Sequence, residues 1–128
     1  SAMREALSQV VDAGTARRLA GSFNLPDGTP LSMGGKTGTG DNRIEAIGSG
    51  GRILSSKSVN RTATFVFYIG ESHFGTLTAY VPGRSAENFT FTSALPVQVL
   101  KGMAPILTQY LQPGTHTMCQ PGQVTAGR

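Results

Sequence analysis

The chain has 128 residues, of which 38% are hydrophobic, 14% charged, 17 glycine and 7 proline, a composition that suits one globular domain or part of one and excludes collagen-like and disordered chains. Its formal charge of +4 comes from 11 Lys and Arg against 7 Asp and Glu. The cations are scattered, only Arg17 and Arg18 are adjacent, and no aromatic residues interleave with them, so no nucleic-acid partner is expected.

Ser1-Ala2-Met3 reads as a cloning scar, and the natural chain is expected to continue upstream. From Arg4 to Val11, the apolar residues Ala6, Leu7, Val10 and Val11 recur at helical spacing, and Asp12-Ala13-Gly14-Thr15 interrupts the run before Ala16 to Ala20 resumes it. Two short helices around a Gly-Thr turn are expected. Pro26-Asp27-Gly28 and Pro30 are turn residues that deliver the chain into Gly34-Gly35-Lys36-Thr37-Gly38-Thr39-Gly40. Glycine at four of these seven positions leaves little to pack, so the segment is either a loop or a strand whose backbone approaches something closely. Residues 41–60 are polar, with Gly48-Ser49-Gly50-Gly51 at their centre, and are expected to be a mobile connection.

The period then changes to two. Ala63, Phe65, Phe67 and Ile69 alternate with Thr62, Thr64, Val66 and Tyr68, and Leu77, Ala79 and Val81 alternate with Thr76, Thr78 and Tyr80. Gly70 to Gly75 between them is the expected hairpin turn. Ser93 is the expected N-cap of a helix from about 94 to 111, with Pro96 in its first turn and a stripe of Leu100, Met103, Ala104, Leu107, Tyr110 and Leu111. Pro105 removes the bond to Lys101, so a kink is expected there. The tail from Pro113-Gly114 to Arg128 has no periodic signal. The resulting fold class is α+β, an antiparallel sheet made of the motif strand plus a hairpin and covered by a long C-terminal helix.

The glycine-rich run before Lys36 fails as a phosphate-binding loop, because Pro30 occupies the position of the first glycine. The looser dinucleotide pattern fails at Ile53, where Gly48-Ser49-Gly50 would need a third glycine. As a strand, however, Lys36-Thr37-Gly38-Thr39 puts the Thr37 and Thr39 hydroxyls on one face, about 7 Å apart, with a lysine beside them. Two hydroxyl donors and a cation make a carboxylate grip, and the strand edge can pair with an extended peptide. Gly38, of opposite parity, is expected to let a neighbouring element pack close behind. The competing structural reading is a solvated glycine turn with incidental threonines. Cys119 is the single cysteine, so an internal disulfide is excluded. His73, His116 and Cys119 offer no metal-ligand pattern, and no metal or cofactor is expected. Asn60 and Asn88 begin glycosylation-type triplets but are read as ordinary loop residues.

Lys36-Thr37-Gly38-Thr39, preceded by Gly34-Gly35, resembles the third motif of the penicillin-binding proteins, the serine D,D-transpeptidases of peptidoglycan synthesis. Val10 to Ala16 upstream resembles the helix and Gly-Thr turn that precede it in that family. Arg61 to Gly70 and Phe91 to Pro96 resemble the bifunctional glycosyltransferase-transpeptidases. The resemblance implies a penicillin-binding/β-lactamase-like transpeptidase fold, with residues 4–111 as the C-terminal part of a transpeptidase domain and 112–128 as a tail. It implies that Thr37, Gly38 and Thr39 bind substrate and that Lys36 and Thr39 serve catalysis, Lys36 by stabilising charge and Thr39 N–H as half of an oxyanion hole. The implied partners are a peptidoglycan stem peptide and β-lactams. The implied setting is periplasmic or extracytoplasmic, with membrane contact only through an N-terminal anchor absent from this sequence.

The family's nucleophile lies in a Ser-x-x-Lys motif, and here Lys36, Lys57 and Lys101 are preceded at that distance by Met33, Leu54 and Gln98. The chain by itself is therefore expected to be inert. Ser22-Phe23-Asn24 and Ser58-Val59-Asn60 match the family's Ser-x-Asn motif but stand at the wrong places relative to Lys36. A non-catalytic peptide-binding or interaction module with a degenerate transpeptidase-like sheet is the alternative. A sheet without its remaining partners is further expected to associate as a homo-oligomer.

Overall fold

The computed structural model describes residues 1–111; His116, Cys119 and the turn expected at Pro113-Gly114 lie outside that range. Three strands, β1 (Met33–Ile47), β2 (Ile53–Ile69) and β3 (His73–Pro82), form an antiparallel sheet in the order β1-β2-β3. Helix α1 (Ala2–Asp12) precedes it and helix α2 (Ala94–Leu107) follows. The α+β class and the C-terminal helix therefore stand as expected.

Helix α1 stops where Gly14 folds back onto it. A Cβ on Gly14 would lie 2.9 Å from Val10 Cα, and Ala16 N–H donates to Val10 O at 3.0 Å. The second helix expected over Ala16 to Ala20 is a single 3-10 turn, Arg17–Leu19. Five residues before Gly21, whose φ is +71°, are too few to nucleate an α-helix.

In β2 the alternation holds: Ala63, Phe65 and Ile69 are buried, as is the inward stripe Val97, Leu100 and Ala104 of α2. Together with Leu19, Phe23 and Met33 these residues other than Ala63 make one core beneath the inner face of the sheet. Phe65 is fully buried and stacks on Phe67 with ring centroids 5.5 Å apart. The β2–β3 turn is tighter than the expected Gly70–Gly75, because Ile69 pairs with His73 and leaves only Gly70, Glu71 and Ser72 between the strands. Gly75 sits opposite Phe67 within the ladder, and a Cβ there would come within 2.9 Å of that ring. The glycine is thus a seat for the aromatic residue rather than part of the turn.

Residues 41–60, read as a mobile connection, instead form the outer part of a long β1–β2 hairpin that pairs Asp41 with Arg61 and Ile47 with Ile53. Its turn carries Gly50 and Gly51 at φ +84° and +77°, closed by Gly48 N–H to Arg52 O at 2.9 Å. Nearly every side chain along it is exposed on both faces, so the apolar alternation that betrays a half-buried strand never arises. Asn60 lies in β2 and accepts from Asn42 Nδ2 at 2.9 Å, and Asn88 ends the 3-10 turn Gly83–Asn88; neither is a loop residue.

Helix α2 runs through Pro105 to Leu107 and tightens into a 3-10 turn at Thr108–Tyr110, shorter than the expected α-helix to 111. Ser93 precedes it without a side-chain capping bond. The capping oxygen belongs to Thr92, whose Oγ1 accepts from Ala94 N–H at 3.3 Å.

Helix α1 crosses the β1 edge. Its Val11 enters the core, while its Leu7 backbone lies over Gly34 on the outer face, where Tyr68 also packs. Arg4 anchors the N-terminal end: its guanidinium lies 4.7 Å from the Tyr68 ring centroid and donates to Glu71 at 2.6 Å and to Gly70 O at 2.5 Å.

Candidate functional site

The register of β1 decides what its motif can do. Thr37 pairs with Phe65 and Thr39 with Ala63, so both threonines project on the inner face, the face α2 covers further along. Thr37 is half-buried and Thr39 exposed, which places the pair where the covered layer gives way to solvent.

Three separate segments meet there. Thr37 Oγ1 lies 2.9 Å from Thr15 Oγ1, in the turn after α1. Thr39 Oγ1 accepts a hydrogen bond of 3.1 Å from Ser93 N–H, at the start of α2. The positive end of the α2 dipole therefore faces the motif, and the row of hydroxyls from Thr15 through Thr37 and Thr39 can donate to an anion once it displaces these internal partners. Thr15 and Ser93 were not legible as site residues from spacing, since they lie 22 and 54 positions from their partners.

Lys36 differs from its expected place. It pairs with Val66 and so leaves β1 on the outer face, away from the threonines. Its exposed ammonium turns back and donates to Thr37 O at 2.7 Å, which brings the charge to the strand edge but ties it to the main chain. Beside it Leu7, Gly35, Val66, Phe67 and Tyr68 line an apolar hollow of about 220 Å³.

Gly38 also departs from expectation. A Cβ at Gly38 would meet nothing within 4 Å, so no element packs behind it. Close approach belongs to its neighbours. A Cβ on Gly34 would come within 2.6 Å of Tyr68 Cε1 and 2.8 Å of the Leu7 backbone, and one on Gly35 would overlap Val66 O and lie 2.6 Å from the Phe65 ring. Gly34 lets α1 cross the strand and Gly35 makes room for the Phe65 ring; Gly38 and Gly40 leave the motif backbone open.

The two Ser-x-Asn triplets are occupied elsewhere. Phe23 is a core residue at 2% exposure, and Ser58 is buried at 6%, donating to Asp41 Oδ1 at 3.0 Å. Asp41 also receives Arg43 Nε at 3.0 Å. These bonds, Ser58 first and Arg43 second, hold its carboxyl below the usual carboxylate range.

No protein-family model, curated protein or solved structure matches the chain.

Proposed function

We propose that the chain is the C-terminal part of a penicillin-binding-type D,D-transpeptidase domain and that β1 is its substrate-binding strand. The observation that carries this reading is the placing of the Thr37 and Thr39 hydroxyls on one face at a sheet edge, within reach of Thr15 and of the α2 N-terminus. A stem peptide ending in D-Ala-D-Ala would lie extended along this edge, its terminal carboxylate held by the two hydroxyls. Lys36 would leave the Thr37 carbonyl for the developing negative charge, and Thr39 N–H would supply half of the oxyanion hole. In such enzymes a serine attacks the penultimate carbonyl, releases D-alanine and passes the acyl group to an amine. That serine would come from a segment upstream of this sequence, in a periplasmic parent protein.

The absence of any Ser-x-x-Lys in these 128 residues favours a second reading, a peptide-binding module without turnover. One pair of experiments separates the two. Intact-mass analysis of the chain after incubation with a β-lactam should show no adduct, and an adduct would reveal a nucleophile inside it. A longer natural product carrying an upstream Ser-x-x-Lys should gain one β-lactam, whereas one that binds D-Ala-D-Ala peptides without acylation would be the binding module.

A further inference from the structure

Beyond Arg43, which still lines a cavity of about 270 Å³ with Ala86, Glu87 and Phe89, the β1–β2 hairpin leaves the body of the protein. Among the helices and strands of the described residues, β1 is accompanied only by β2 and α1, and β3 meets β2 no further out than Asn60, opposite Pro82. A bare two-stranded ribbon is marginal in water. Yet this one holds four large apolar residues in solvent: Ile44 and Ile47 at 67% exposure, Ile53 at 58% and Leu54 at 72%.

Its two edges are unlike. The register skips Val59 and Leu54, so both bulges fall in β2, and bulges blunt an edge against further pairing. Strand β1 is unbroken through Ile47 and presents a regular edge. That edge is self-complementary in charge. When two copies pair antiparallel with their faces preserved, the pleat requires the two-fold axis to pass through a residue. An axis through Ile44 sets Arg43 opposite the second copy's Glu45, twice, and Ile44 against itself. An axis through Arg43 would oppose Asp41 to Glu45, one through Glu45 would oppose that carboxylate to itself, and one through Asn42 would leave Ile44 facing Gly40. Arg43 uses only Nε on Asp41, and the Glu45 carboxylate has no ion pair among the described residues.

We propose that the edge of β1 from Asp41 to Ile47 is a homodimer interface, pairing with the same edge of a second copy about an axis through Ile44. The two sheets then become one of six strands, and the opposed Arg43–Glu45 pairs fix the register.

Sedimentation equilibrium over a concentration series should show a dimer. Arg43→Glu and Glu45→Arg each place like charges across both pairs, so either variant alone should weaken the dimer at least tenfold. An equimolar mixture of the two should dimerise again, because every acid then faces a base. In a Cys119→Ser background, Ile44→Cys should oxidise to a linked dimer, since a residue on the axis meets itself at disulfide distance, whereas Ile47→Cys should not. A monomer at every concentration would overturn the proposal. So would a dimer that ignores both charge reversals and leaves Ile44→Cys unlinked.

Discussion

The hydroxyls of Thr15 and Thr37, 22 positions apart in sequence, lie 2.9 Å from each other, and this bond ties the turn after α1 to the motif strand. It lies at an exposed position, so its net contribution to stability is small, about 0.5–1 kcal/mol. Its larger effect is to hold one Thr37 rotamer. Thr15→Val should therefore lower the unfolding free energy by no more than that amount in urea titration. Binding of an acetylated D-Ala-D-Ala peptide, followed by shifts of the Thr37 and Thr39 amides in NMR, should weaken several-fold. If Thr15→Val left binding unchanged, the hydroxyl row would not act as a unit.

The glycines of the motif divide into two kinds, and substitution should show it. Gly35→Ala would drive a methyl into Val66 O and the Phe65 ring, in a core where overpacking costs about 1–3 kcal/mol. The obstruction is backbone, which yields less readily than a flexible side chain, so the upper end of that range is expected. Gly38→Ala meets open space and removes some freedom from the unfolded chain, so thermal melting should stay level or rise slightly. A melting temperature that fell equally for both would mean that the strand, not the local contact, dictates glycine.

How much of this was legible beforehand follows the same division. The β2–β3 hairpin could be read because one of its faces is buried, and burial writes itself as alternation: Phe65 and Ile69 in, Thr64 and Val66 out. Helix α2 was legible for the same reason, through Leu100 and Ala104. The outer hairpin was not, since every residue from Arg43 to Lys57 but Gly48 is exposed and its strands are defined by backbone pairing, which leaves no hydropathy pattern. At the site, the parity of Thr37 and Thr39 followed from strand geometry alone. Their partners Thr15 and Ser93 depend on where α1 and α2 end in space, and no local spacing encodes that. The parity that sets Thr37 and Thr39 together also puts Lys36 on the opposite face, which its adjacency in sequence conceals.

Asp41 predicts an acid limit for the hairpin. Its carboxyl is held low by the Ser58 hydroxyl first and by Arg43 second, so the folded value lies under the ordinary one of about 3.9. A depressed carboxylate stabilises the folded state above its unfolded pKa, and that contribution disappears as pH falls through the folded pKa. Protection factors of the amides of residues 41–60, with the pH-dependent intrinsic exchange rate divided out, should therefore be level from neutrality down to about pH 4 and fall below it. Asp41→Asn should flatten this dependence. Asp27, also lowered chiefly by its bond from Thr29 N–H, adds a second acid-sensitive group outside the hairpin, so the readout must be residue-specific rather than a global melt.

Thr39 has two tasks, and its variants can separate them. Its Oγ1 accepts from Ser93 N–H at 3.1 Å, one of the donors that a helix start leaves without an intrahelical partner. Loss of such an acceptor typically costs about 0.5–2 kcal/mol; because Thr39 is exposed and water can replace it, the lower half of that range applies. Thr39→Val keeps the strand shape and preference but removes the acceptor, so stability should fall by about 0.5–1 kcal/mol. Thr39→Ser keeps the hydroxyl and should recover most of that loss. Thr37→Val loses the exposed bond to Thr15 instead and should cost no more than Thr39→Val. Binding should order the variants differently, because a carboxylate held by both hydroxyls loses one donor in either valine variant. Both should therefore weaken binding of the D-Ala-D-Ala peptide by about tenfold, as expected for one charge-assisted bond of roughly 1.5 kcal/mol, while Thr39→Ser binds nearly as the parent. Equal stability with unequal binding for the two valine variants would place the carboxylate on one threonine only. Loss of stability in step with binding across all three variants would make the hydroxyls part of the fold and not of a site.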